Sequence, residues 1–149
     1  MTLTTAQRRP SVAARRFGYG VTIVLNAAVL AAVNVWPGWQ IIPFLTADMV
    51  LVLPWVNASI IAGVVANAVY LVDDPPRLRA VGSFVTTVIG AVGLVRMWQV
   101  FPFEFGDGGF DWALAMRVLL ALGMIGSVIA IVASIVILLR PAQSARGRA

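Results

Sequence analysis

The sequence predicts an all-α integral membrane protein: a bundle of four transmembrane helices with both termini on the cytoplasmic side. Three observations carry that expectation. The chain has 149 residues, of which 60% are hydrophobic and only 11% charged, whereas a soluble domain carries about 25% charged residues. The apolar residues gather into four runs, each long enough as helix to cross ~30 Å of hydrocarbon at ~1.5 Å per residue. Nine of the eleven arginines fall in segments that four crossings bring to one side.

The expected layout is a basic arm over 1–17, a helical domain over 18–140 and a basic tail over 141–149. Within the domain, helices are expected at about 18–36, 48–72, 80–100 and 112–139. No run alternates apolar and polar residues, which argues against a barrel. Pro37 stops the first helix, because proline has no amide to donate and clashes with the preceding turn. Asp73-Asp74-Pro75-Pro76 stops the second and Pro102 the third. Asp111 is placed to cap the fourth by accepting bonds from its first free amides. Pro54 lies inside the second run, where it either starts the regular helix or kinks it. The first run is long for a signal peptide, and no convincing small-x-small cleavage site precedes Trp36.

Arg8, Arg9, Arg15 and Arg16 precede the first helix, Arg77 and Arg79 follow the second, and Arg140, Arg146 and Arg148 follow the fourth. The other two connections, 37–48 and 101–111, contain no arginine. The positive-inside rule therefore places both termini in the cytoplasm. The formal net charge is +5. With arginines flanking apolar runs, anionic lipid headgroups are the expected counter-charge, and no nucleic acid is expected. The chain has no cysteine and no histidine. That removes disulfides, thiolate or imidazole metal sites and the usual general base near neutral pH. No metal, cofactor or catalytic residue is expected.

Both arginine-free connections carry one motif. Trp39-Gln40-Ile41-Ile42-Pro43-Phe44 returns as Trp98-Gln99-Val100-Phe101-Pro102-Phe103, an offset of 59 residues that also superposes Asp48 on Asp107. Tryptophan suits the headgroup zone, with its ring in the apolar layer and its N–H near water. Trp36, Trp39, Trp98 and Trp112 are the expected interface anchors, with Trp55 about two turns deeper. The repeat reads either as a duplicated helical hairpin with a parallel pseudo-two-fold or as two turns that met one interfacial demand alike. The second connection, with Phe101, Phe103, Phe105 and Phe110 among Glu104, Asp107 and Asp111, reads as a turn whose aromatics sink into the interface.

Charges within apolar runs are costly and suspect. Arg117 leans toward the nearer surface and can snorkel. Arg96 leans away from it. Arg96 is therefore expected to clamp an acid, and Arg96, Arg117, Asp48, Glu104 and Asp111 form the candidate outer polar cluster. Asn26, Asn57, Asn67 and Ser127 are the candidate intramembrane polar groups, expected to bond between helices. Small residues recur every fourth position: Ala58-Ala62-Ala66, Ser59-Gly63-Asn67, Gly82-Thr86-Gly90 and Gly126-Ala130-Ser134. Such stripes let helix backbones approach closely.

The stretches "DMVLVLPWVNASIIAGVVANAVYLVDDPP" and "VRMWQVFPFEFGDGGFDW" resemble uncharacterised small four-helix membrane proteins of high-GC actinobacteria. The resemblance spans about 17–140, implies a plasma-membrane location and supplies no catalytic residues. Small multidrug exporters carry an acid in their first helix, which is missing here, and quinone-linked thiol oxidoreductases need cysteines. The expected function is that of a non-enzymatic interaction or accessory subunit, acting through helix packing on itself or on another membrane protein. The alternative is a small oligomeric transporter or channel with Arg96, Arg117, Asn26 and Asn57 along its path. A lipid-modifying enzyme comes third.

Overall fold

A computed structural model of the chain describes residues 11–106 and 108–139. Arg8, Arg9, Asp107, Arg140, Arg146 and Arg148 lie outside the described residues. Among the described residues there are four α-helices, α1 Val12–Asn34, α2 Met49–Val72, α3 Pro76–Val100 and α4 Trp112–Leu139, and one 3-10 turn at Trp39–Ile41. Each α-helix is long and apolar enough to cross a membrane. Among the described residues there is no strand, only a single bridge between the two longer connections.

Two helices start earlier than expected. The arm expected over 1–17 is helical from Val12, with Ser11 Oγ accepting from Ala14 N at 3.2 Å as its cap. α3 starts at Pro76 rather than at 80, proline being favoured in the first turn, where its missing amide is not needed. Apolar runs mark what avoids water, whereas arginine is a good helix former and extends a helix beyond the apolar part. Arg15, Arg16, Arg77 and Arg79 are thus held on helices. α4 starts where expected, and Asp111 Oδ1 accepts from Leu114 N at 2.8 Å. Pro54 lies inside α2. The turn before it is tight, with the amides of Met49, Val50 and Leu51 each bonding three residues back at 3.0–3.2 Å.

The helices run up and down and pack only on their chain neighbours: α1 on α2, α2 on α3, α3 on α4. No other helix pair brings Cα atoms within 8 Å. The expected bundle is therefore an open row with α1 and α4 at its edges. Each contact has a glycine in it. Gly63 faces Asn26 of α1, Gly93 faces Trp55 of α2, and Gly123 faces Leu94 of α3. Gly90 and Gly126, expected in packing stripes, face open space. Buried apolar side chains are few, Met49, Val52, Ala80 and Leu120, while Val24, Leu25, Leu122 and Ile129 are each at least 60% exposed. The molecule is apolar outside, the reverse of a protein whose core excludes water.

The glycine contacts are testable. A Cβ at Gly93 would lie 3.7–3.9 Å from Trp55, ordinary van der Waals distance. Gly93→Ala is expected to keep or slightly raise the detergent-solubilised protein's melting temperature, since alanine favours helix by up to ~1 kcal/mol. Gly93→Leu is expected to wedge α2 from α3 and destabilise by about 1–3 kcal/mol.

Candidate functional site

Polar chemistry gathers at the two ends of the row and at one point between them. At the arginine-rich end, Arg15 and Tyr19 are four residues apart and so share one face of α1. Both reach Asp74 in the α2–α3 connection. Arg15 Nε donates to Asp74 Oδ2 at 2.9 Å, and Tyr19 Oη donates to Oδ1 at 3.0 Å. Arg79 Nε lies 3.0 Å from the same Oδ1, an ion contact whose N–H is not aligned for a hydrogen bond. Tyr70 stacks at a tilt on Tyr19, with ring centroids 5.5 Å apart, and donates to Arg79 O at 3.2 Å. A Cβ at Gly82 would collide with the Tyr70 hydroxyl. Asp74, only 15% exposed, thus ties α1 to the start of α3.

At the opposite end the two copies of the hexapeptide motif meet. Leu45 and Phe103 form an antiparallel bridge, with Thr46 N donating to Pro102 O at 3.0 Å and Glu104 N to Phe44 O at 2.9 Å. Leu45 in one copy corresponds to Glu104 in the other, and Phe44 to Phe103. A two-fold exchange of the copies would set equivalent residues opposite each other; the bridge instead pairs Leu45 with Phe103, one residue out of that register, and Leu45 N bonds to Ile42 O rather than across. Full helix symmetry does not follow either, because α2 packs on α3 while α1 does not reach α4. Phe101 holds a left-handed conformation at φ 47°, and its ring carries two loads. It meets Phe103 edge-on at 5.4 Å, and the Arg117 guanidinium lies 4.2 Å above it, with the Trp98 ring 5.5 Å away. Phe103, Phe105 and Phe44 continue the stack.

Compared with protein family models, curated proteins and solved structures, the chain has no match. Its site is read from its own geometry alone.

The expected outer clamp is not formed. Among the described residues neither Arg96 nor Arg117 pairs with Asp48, Glu104 or Asp111; both ion pairs belong to Asp74. Arg96 Nη1 makes one long contact, 3.4 Å, with Gln99 Oε1. The reason is competition: Asp111 caps α4, and Arg117 is taken by aromatic faces, a cation–π arrangement worth more where water is scarce. Trp36, Trp39, Trp98 and Trp112 do lie together at this end, around the ends of α1 and α3 and the start of α4.

Of the intramembrane candidates, Asn57 bonds between helices. Its partner is Asn34, through two reciprocal amide bonds of 2.7 and 2.9 Å. Sequence reasoning missed Asn34. Counted from the nearest helix ends, Asn57 lies about 12 Å along α2 and Asn34 at the very end of α1, yet packing sets them level. Asn26, Asn67 and Ser127 instead donate to carbonyls one turn back in their own helices, those of Thr22, Gly63 and Gly123, at 2.8–3.0 Å. The Asp74 cluster was also missed. Its signal was present: Arg15 and Tyr19 at helical spacing, opposite the one acidic pair in an arginine-rich layer.

Two measurements check these contacts. Asp74→Asn is expected to destabilise by about 1–3 kcal/mol, the range for hydrogen bonds to charged groups, and to act non-additively with Arg15→Gln in a double-mutant cycle. Asn57→Leu alone is expected to cost about 0.6–1.7 kcal/mol. Adding Asn34→Leu should return part of that loss in thermal melts, since no orphaned amide is then left.

Proposed function

We propose that this is a multi-pass plasma-membrane protein, with both termini cytoplasmic, that serves as an interaction or accessory subunit. The observation that carries the reading is the open row. α1 and α4 do not meet, no residue of α1 is fully buried, and both edges present long apolar faces. Lipid solvates such faces, and a partner helix that packs on them gains van der Waals contact. The arginines held at one end, Arg15, Arg16, Arg77 and Arg79, support the assigned orientation and an anionic lipid counter-charge on the cytoplasmic side. The partner is a second copy or another membrane protein.

The transporter reading has less support. Asn26, Asn67, Ser127 and Thr86 donate to their own helices' carbonyls, and Asn34 and Asn57 satisfy each other. These groups form no continuous polar path.

The chain has no native cysteine, so introduced ones report without background. In intact cells, Gly108→Cys is expected to react with an impermeant maleimide and Ser11→Cys only after permeabilisation. The reverse pattern would overturn the orientation. Leu25→Cys on α1 and Leu122→Cys on α4 are expected to cross-link the protein into defined higher-mass species at native expression. A strict monomer, with nothing recovered by affinity purification in mild detergent, would overturn the accessory role.

A further inference from the structure

An open groove of about 610 Å³ runs between α2 and α3 on one side of the row, within the ~300–1,000 Å³ range of small-molecule sites. Its α2 wall is built on Ala58, Ala62 and Ala66, whose short side chains leave it unfilled. Along α3 it extends from Leu78 to Ile89, about 16 Å of helix, close to the ~15 Å of hydrocarbon in one leaflet. Its one hydroxyl, on Thr86, is turned to the Gly82 and Ser83 carbonyls at 2.9 and 3.1 Å. The walls therefore offer hydrocarbon contact and no hydrogen bond.

The groove's lining is uncharged, but its end at Leu78 is flanked in the chain by two arginines. Leu78 sits between Arg77 and Arg79 in the first turn of α3. Arg79 is engaged by Asp74, while Arg77 is exposed and forms no ion pair among the described residues. In the connection and first turn that end the groove, Asp73 and Asp74 stand beside Arg77 and Arg79, and Asp74 is already shared by Arg79 and by Arg15 of α1. An apolar slot one leaflet long that opens beside an unneutralised guanidinium matches one class of molecule, an anionic amphiphile with a long hydrocarbon tail.

We propose that the α2–α3 groove holds one acyl chain of an anionic phospholipid, with the lipid phosphate on Arg77. The site rests on the reading that these helices span a bilayer, but not on which end faces the cytoplasm. A second copy of the chain is the competing occupant, because the alanine stripe would also admit a helix.

The test uses the full chain, purified in mild detergent with an equimolar mixture of phosphatidylglycerol and phosphatidylcholine bearing identical acyl chains. Native mass spectrometry counts the lipid retained. The wild type is expected to keep one phosphatidylglycerol in preference to phosphatidylcholine. Arg77→Gln is expected to lower that preference about fivefold, the effect of one basic residue near an anionic surface. Ala62→Leu and Ala66→Leu, which fill the slot, are expected to reduce retention of both lipids while the melting temperature holds. Equal retention of the two headgroups by the wild type, or full retention by the filled variants, would overturn the site. If Ala62→Leu instead changes the oligomeric mass with lipid unaltered, the groove belongs to a second copy and the proposal fails. Carbonate extraction of native membranes separates the premises: release of the protein overturns the spanning reading itself, whereas a membrane-retained protein without lipid preference overturns only this site.

Discussion

The constraint on which this structure depends is that an apolar chain must satisfy its polar groups from within. A surface of valine, leucine and isoleucine supplies no hydrogen bonds, and an unpaired buried amide costs several kcal/mol in a hydrocarbon setting. Four helices meet the demand for most of the backbone. Where helices stop, the two longer connections meet it for each other, through Thr46 N to Pro102 O and Glu104 N to Phe44 O. Within the helices, hydroxyls and amides turn back on the preceding turn, as Thr22, Asn26 and Ser127 do. The Asn34–Asn57 pair does otherwise, two helices lending each other both donor and acceptor.

The two ends solve the same problem with different chemistry. At one end a single carboxylate, Asp74, gathers Arg15, Tyr19 and Arg79. It is an anion among cations, and its gain is electrostatic. At the other end a guanidinium, Arg117, lies against Phe101 and Trp98, and the stacked phenylalanines continue into the paired loops. Here it is a cation among rings that is stabilised. The first arrangement ties α1 to the start of α3, and the second ties the end of α3 to α4. Between them α2 and α3 pack directly, with Gly93 admitting Trp55. The paired loops join the first connection to the third, yet among the described residues no contact brings α1 to α4.

That openness is what the proposed role rests on. A closed bundle would bury its small-residue faces on itself. Here the alanine stripe of α2 lines a groove, Gly90 and Gly126 face open space, and α1 and α4 keep their faces outward. Many of the polar side chains within the helices bond to carbonyls of their own helices. The surfaces left over are apolar, and the proposed subunit role and lipid site both rest on them.

The sequence by itself determined the number of helices, the ends at which arginine and tryptophan collect, and the stop signals at Pro37, Pro75-Pro76 and Pro102. These follow from composition and from local sterics, which need no knowledge of neighbours. The Asp111 cap was legible for the same reason, being a bond within three residues. Only the tertiary structure decided the partners. It chose Asp74 over the outer acids for ion pairing, set Asn34 level with Asn57, and separated α1 from α4. It also paired the two hexapeptides with each other rather than leaving each as a separate turn. Those outcomes depend on the relative depth and rotation of whole helices, which shift by a residue or two without changing any pattern that composition or periodicity records.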